Sequence, residues 1–147
     1  MVNVNLFLSD TNDRLWRKTR SQNTGFRRCF GTDPNRNWGY EWGGVSASTD
    51  PCHETYRGSS SFSEVETAAV RDYLTSKSGV KLFLTYHSYG QMILYPWGYA
   101  RSDAPNWWSM HEVGKLAGKA MEARSGNSYT VGSAAKVLWP AAGESSK

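Results

Sequence analysis

The chain has 147 residues, 39% hydrophobic and 20% charged, a balance that supports a packed core and argues against disorder. Its net charge of +4 is local, because residues 1–36 hold seven basic and three acidic groups while the remainder is neutral. No apolar run approaches the ~20 residues that cross a bilayer, and residues 1–10 show no basic leader pattern, so the sequence offers neither a membrane-spanning helix nor a visible signal peptide.

In chain order, Val2, Val4, Leu6 and Leu8 alternate with Asn3, Asn5 and Phe7, which predicts a half-buried strand. A turn at 10–13 leads into the basic stretch 14–20, anchored by Leu15 and Trp16. Residues 21–60 are rich in Gly, Ser, Thr, Asn and Pro with little periodicity and read as one long irregular region. Loops of that length inside a compact domain usually carry function. Cys29 and Cys52 fall in it, and neither belongs to a C-x-x-C pair. Paired, they would close a loop with about 3 kcal/mol of stabilisation; the alternative is two buried thiols.

Ser61 and Glu64 form a capping-box pattern that predicts a helix reaching Lys77 and stopped by Gly79. The β-forming run 80–86 follows and predicts a buried strand, and a second strand is expected over 91–95, ended by Pro96. Residues 107–124 predict a helix with Met110, Val113, Leu116, Ala117, Ala120 and Met121 on its apolar stripe. The tail, 129–147, reads as mixed strand and loop. Helices feeding buried strands define an α/β layered domain with a largely parallel sheet.

Three groups of residues could carry chemistry. His87 follows the expected strand 80–86 and so stands at a strand's carboxyl end, where α/β sheets bind ligands and an imidazole can ligate zinc or transfer protons. Asn35 and Arg36 set an amide donor beside a guanidinium fork, a pairing suited to a carboxylate, with Asp33 placed to orient a neighbouring group. Arg14 and Arg17 would share one side of a helical turn, where a fixed cation can stabilise an oxyanion. Each has a plainer reading: a hydrogen-bonded histidine, an Asx/Pro turn with a surface arginine, and a solvated basic face. Nucleic-acid contact by the basic stretch is a further option, disfavoured once the motifs are read together.

Read together, Asn12-Asp13-Arg14-Leu15-Trp16-Arg17-Lys18-Thr19-Arg20-Ser21, Asp33-Pro34-Asn35-Arg36-Asn37-Trp38 and His87-Ser88-Tyr89-Gly90-Gln91 resemble the zinc metallocarboxypeptidases of the pancreatic A/B type, peptidase family M14. The last motif, with Val131-Gly132-Ser133, resembles the carboxypeptidase O branch in particular. The resemblance covers roughly residues 10–146. It implies a partial carboxypeptidase-like α/β/α fold with a mixed, largely parallel sheet, and makes residues 1–147 the central portion of one incomplete catalytic domain. It further implies a secreted, extracellular enzyme that hydrolyses the C-terminal residue of peptides and proteins. The oligomeric state is left open.

By the same resemblance, His87 is a zinc ligand and Asn35 and Arg36 grip the free C-terminal carboxylate of the substrate. Arg17 polarises the scissile carbonyl, Arg14 serves an outer subsite, and Asp33 supports a zinc-bound histidine. Ser88 and Tyr89 line subsites, Trp139 stands where the family has a flexible tyrosine, Ser146 lies at the base of the side-chain pocket, and Cys29 pairs with Cys52. The arginines would thus converge on one anionic end group, which accounts for the local charge without nucleic acid.

The departures are equally specific. The His-x-x-Glu motif that supplies the other two zinc ligands is absent, since His53 and His111 are each followed directly by glutamate, and the general-base glutamate has no counterpart here. One of three expected ligands cannot hold Zn2+ tightly, so the chain as given is expected to be inactive. The alternative is a non-catalytic module that binds C-terminal carboxylates.

Overall fold

The computed structural model describes residues 15–23 and 28–144. The expected strand at 2–8, the turn at 10–13, Arg14 and Ser146 lie outside the described residues. The described chain forms two compact units, one of residues 15–86 and 142–144 and the other of residues 87–141.

The first unit is built mainly of irregular chain, as the composition of 21–60 predicts. Its regular elements are a 3₁₀ turn, Pro34–Arg36, and helix α1, Val65–Thr75. Isolated bridges join Gln22 to Phe30 and Ser48 to Tyr56, and Cys29 is disulfide-bonded to Cys52 across 5.1 Å between Cα atoms. Loop backbone without a ladder must be satisfied by side chains, and the interior of this unit is accordingly polar. Thr19, Thr32, Asp33 and Asn37 are fully buried. Asn37 donates from Nδ2 to the carbonyls of Arg57 and Ser60 and to Ser63 Oγ, at 2.8, 3.0 and 2.9 Å. Its Oδ1 accepts from the Glu64 amide at 3.2 Å and Thr67 Oγ1 at 2.7 Å.

Two expectations fail in this unit. The helix does not open on a capping box: it starts at Val65, and Glu64 stands at the N-cap without a side-chain cap bond. The buried Glu64 carboxylate instead accepts from the hydroxyls of Thr19, Ser21 and Ser63 at 2.5, 2.6 and 3.0 Å, so tertiary bonds outcompete the local one. The run 80–86 is not a buried strand either. Among the described residues it has no strand pairing, and its apolar side chains are exposed, Leu82 at 67%. β-propensity describes a side chain's fit to a pleated surface; it does not supply the neighbouring strand that makes the ladder.

The second unit holds strand β1, Met92–Tyr95, helix α2, Trp107–Ser125, strand β2, Thr130–Ser133, and the short helix α3, Ala134–Val137. The two strands pair in parallel, with Met92 opposite Thr130 and Tyr95 opposite Ser133. A parallel pair requires a long crossover, which α2 provides. Pro96 ends β1, and Gly126 in the left-handed conformation caps α2 at φ 75°. Strand β1 and helix α2 agree with the sequence reading, and β2 falls in the tail read as mixed strand and loop, but helix α3 in that tail was not expected. The buried face of α2 also departs from the reading. Val113 and Leu116 are exposed, and the face against the sheet carries Gly114 and Gly118. A Cβ at Gly114 would come within 2.7 Å of Val131 Cγ1, so the sheet approaches this helix more closely than any side chain allows.

Candidate functional site

The Asp33–Arg36 segment folds as its sequence dictates. Pro34 sits in the first position of the 3₁₀ turn, where its fixed φ costs nothing, and the Asp33 side chain caps the turn by accepting from the Asn35 amide at 3.0 Å. The other carboxylate oxygen of Asp33 accepts from Arg17 Nε at 3.0 Å and Nη2 at 2.8 Å. Asp33 is only 1% exposed and Arg17 46%, so this bridge joins a buried anion to a cation at the protein surface.

Arg36 closes the turn and is buried, with 5% exposure. Its Nε donates to the Ser46 carbonyl at 3.0 Å and its Nη1 to the Asn35 carbonyl at 2.7 Å. Nη1 also meets Glu144 Oε1 at 3.4 Å. The segment carrying Glu144 is seated by two backbone bonds, Trp38 N–H to the Gly143 carbonyl at 3.1 Å and Ala142 N–H to the Val45 carbonyl at 2.9 Å. Gly143 has φ 68° and lies so close that an added Cβ would stand 2.5 Å from the Arg36 carbonyl oxygen.

Lys18 adds a second buried cation. It donates to the Pro51 carbonyl at 2.6 Å, and its Nζ lies 5.9 Å from the centre of the Tyr56 ring. Burial pushes its pKa below the ordinary lysine value, against the opposing pull of Glu54, Asp50 and Asp33.

The first unit therefore gathers Arg17, Asp33, Asn35 and Arg36 into one hydrogen-bonded cluster. His87, Ser88, Tyr89 and Trp139 belong to the second unit and are all exposed, Tyr89 at 98% and Trp139 at 61%. A cis peptide bond joins Ser88 to Tyr89. Two residues of the first cluster's surroundings escaped the sequence reading. Lys18 was absorbed into a basic stretch, and Glu144 lies 108 positions from Arg36, beyond any local pattern.

Among the described residues no group of three or more His, Cys, Asp or Glu side chains converges as a metal site. One imidazole at position 87 does not by itself satisfy the tetrahedral preference of zinc, so the described residues do not complete a zinc site.

Residues 6–147 match the zinc carboxypeptidase family, Peptidase M14, and the chain belongs to that family. It is 43% identical over 136 residues to a zinc carboxypeptidase of Simulium vittatum, covering 92% of this chain and 44% of that protein. It is 44% identical over 136 residues to human carboxypeptidase B, covering 92% of this chain and 32% of the relative. The crystal structure of carboxypeptidase A from Helicoverpa armigera superposes with a TM-score of 0.88 at 33% identity, over 95% of this chain and 35% of that one. Bovine thrombin-activatable fibrinolysis inhibitor, solved in complex with tick carboxypeptidase inhibitor, gives 0.82 at 38% identity, over 93% and 47%. The helices and the parallel β1–β2 pair are thus part of a carboxypeptidase-like α/β fold, and the chain spans less than half the length of these relatives.

Proposed function

We propose that the chain is the central part of the catalytic domain of a zinc-dependent carboxypeptidase, which removes the C-terminal residue of peptides and proteins. The observation that supports this most is the Asp33-capped turn, which sets Asn35 and the buried Arg36 side by side within a family match covering residues 6–147. A guanidinium and an amide side by side recognise a free carboxylate by charge and by directed hydrogen bonds, the selectivity an exopeptidase needs. Arg17, half-exposed and braced by Asp33, is the cation available to a polarised carbonyl oxygen, with Arg14 at an outer subsite. By family resemblance, Ser88, Tyr89 and Trp139 would line the substrate path, Ser146 would correspond to the base of the side-chain pocket, and His87 would contribute one zinc ligand. In that domain Asp33 would hold a zinc-bound histidine as well as Arg17. In the whole domain, His87 together with ligands this chain lacks would hold the zinc, which would supply carbonyl polarisation and water activation.

With one of three ligands and no His-x-x-Glu motif, the chain alone binds carboxylates without hydrolysing them. The Cys29–Cys52 bridge supports an extracellular setting. Incubating the chain with zinc and peptides bearing free or blocked C-termini tests the division of labour. No turnover is expected on either, and chelator-sensitive release of C-terminal residues would refute it.

A further inference from the structure

The site's own chain already presents a carboxylate to the cation assigned to substrate. We infer that Glu144 is an internal competitor at Arg36, occupying the guanidinium until a C-terminal carboxylate displaces it; this rests on the carboxylate-binding reading of Asn35 and Arg36. Three features carry it. The contact is loose: 3.4 Å exceeds the roughly 2.7–2.9 Å of a strong charge-assisted bond, so an incoming carboxylate that binds at full strength gains over it. The presentation is built: the backbone bonds at Gly143 and Ala142, and the close approach of Gly143 to the Arg36 carbonyl, hold residue 144 beside the guanidinium. The exchange conserves charge: one carboxylate replaces another, so neither end state leaves the buried cation without an anion, while Glu144, with its side chain 18% exposed, retains access to water.

An internal competitor reduces apparent affinity by the fraction of molecules whose guanidinium is free. Neutralising Glu144 therefore tightens carboxylate binding. A glutamate that merely braced Arg36 would give the opposite result, because its loss would weaken binding.

Calorimetric titration of the chain with the N-acetyl derivatives of glycine, phenylalanine and lysine, and with their amides, separates the two. Glu144→Gln and Glu144→Ala are expected to bind the carboxylates on the order of tenfold more tightly than the unmodified chain and the amides no better. Arg36→Gln is expected to lose the carboxylate preference. Circular dichroism identifies any variant that has not folded, and the other substitution at 144 then carries the comparison. Unchanged or weaker carboxylate binding in the Glu144 variants, with Arg36→Gln still abolishing it, overturns the competitor and leaves the carboxylate reading intact. Carboxylates that bind no better than amides, with Arg36→Gln without effect, overturn both.

Discussion

Arg17 and Asp33, 16 residues apart in sequence, meet through two hydrogen bonds to a single carboxylate oxygen, leaving the other oxygen to cap the turn that presents Asn35 and Arg36. The carboxylate is buried and the guanidinium is half in water, so the two partners are not equivalent. Arg17→Ala strips a charged donor pair from a buried acceptor and is expected to cost about 1–2 kcal/mol, the exposed side of the bridge being screened. Asp33→Ala also removes the cap and is expected to cost about 1 kcal/mol more. Urea denaturation of both variants gives the order; equal losses would mean that the cap contributes nothing.

Gly114 and Gly118 lie one turn apart on the sheet-facing side of α2 but in different surroundings. An added methyl at 114 meets Val131 at 2.7 Å, whereas at 118 the nearest atoms, on Ile93, Tyr129 and Val131, are at ordinary contact distances of 3.6–3.7 Å. Gly114→Ala is expected to destabilise by about 1–3 kcal/mol through overpacking. Gly118→Ala is expected to be neutral or stabilising by up to about 1 kcal/mol, from the better helix propensity of alanine. Thermal melts that rank them in reverse would show that the helix and sheet are not packed this closely.

That contrast shows where the sequence was legible. The span of α2, the Gly126 cap, and the end of β1 at Pro96 follow from local chemistry and are read correctly from it. The buried face of α2 does not follow, because hydrophobic periodicity marks Val113 and Leu116 while the close sheet selects positions with no side chain at all. The same limit applies at Glu64, whose partners Thr19 and Ser21 lie more than 40 residues upstream, and at 80–86, where propensity was plain but no pairing partner exists among the described residues. At the candidate site, the Asp33–Arg36 turn was readable as a turn, whereas its bridge to Arg17 and its contact with Glu144 depend on distant chain.

The disulfide orders a unit that has little regular structure. Reduction, or Cys29→Ser with Cys52→Ser, opens a loop of this size and is expected to cost about 3 kcal/mol. The check is the urea midpoint with and without reductant; an unchanged midpoint would mean that the polar network around Asn37 suffices alone.

Lys18 ties stability to pH. Its folded-state pKa is depressed by burial, so the unfolded chain binds the proton more strongly, and the group opposes folding wherever it is charged in both states. Stability is therefore expected to rise as pH climbs through the depressed folded value towards the ordinary 10.5, and this component should vanish in Lys18→Met. Denaturation curves over that alkaline range, compared between the two proteins, provide the check; identical pH slopes would contradict it.

The central claim is that the Asn35–Arg36 turn holds the free carboxylate at a peptide's end. Its most direct test is titration of the chain with one peptide in two forms, C-terminally free and C-terminally amidated. The account predicts that the free form binds, that the amide binds at least about tenfold more weakly, and that Arg36→Gln removes the difference. Equal binding of the two forms, or a preference that survives the substitution, would contradict it.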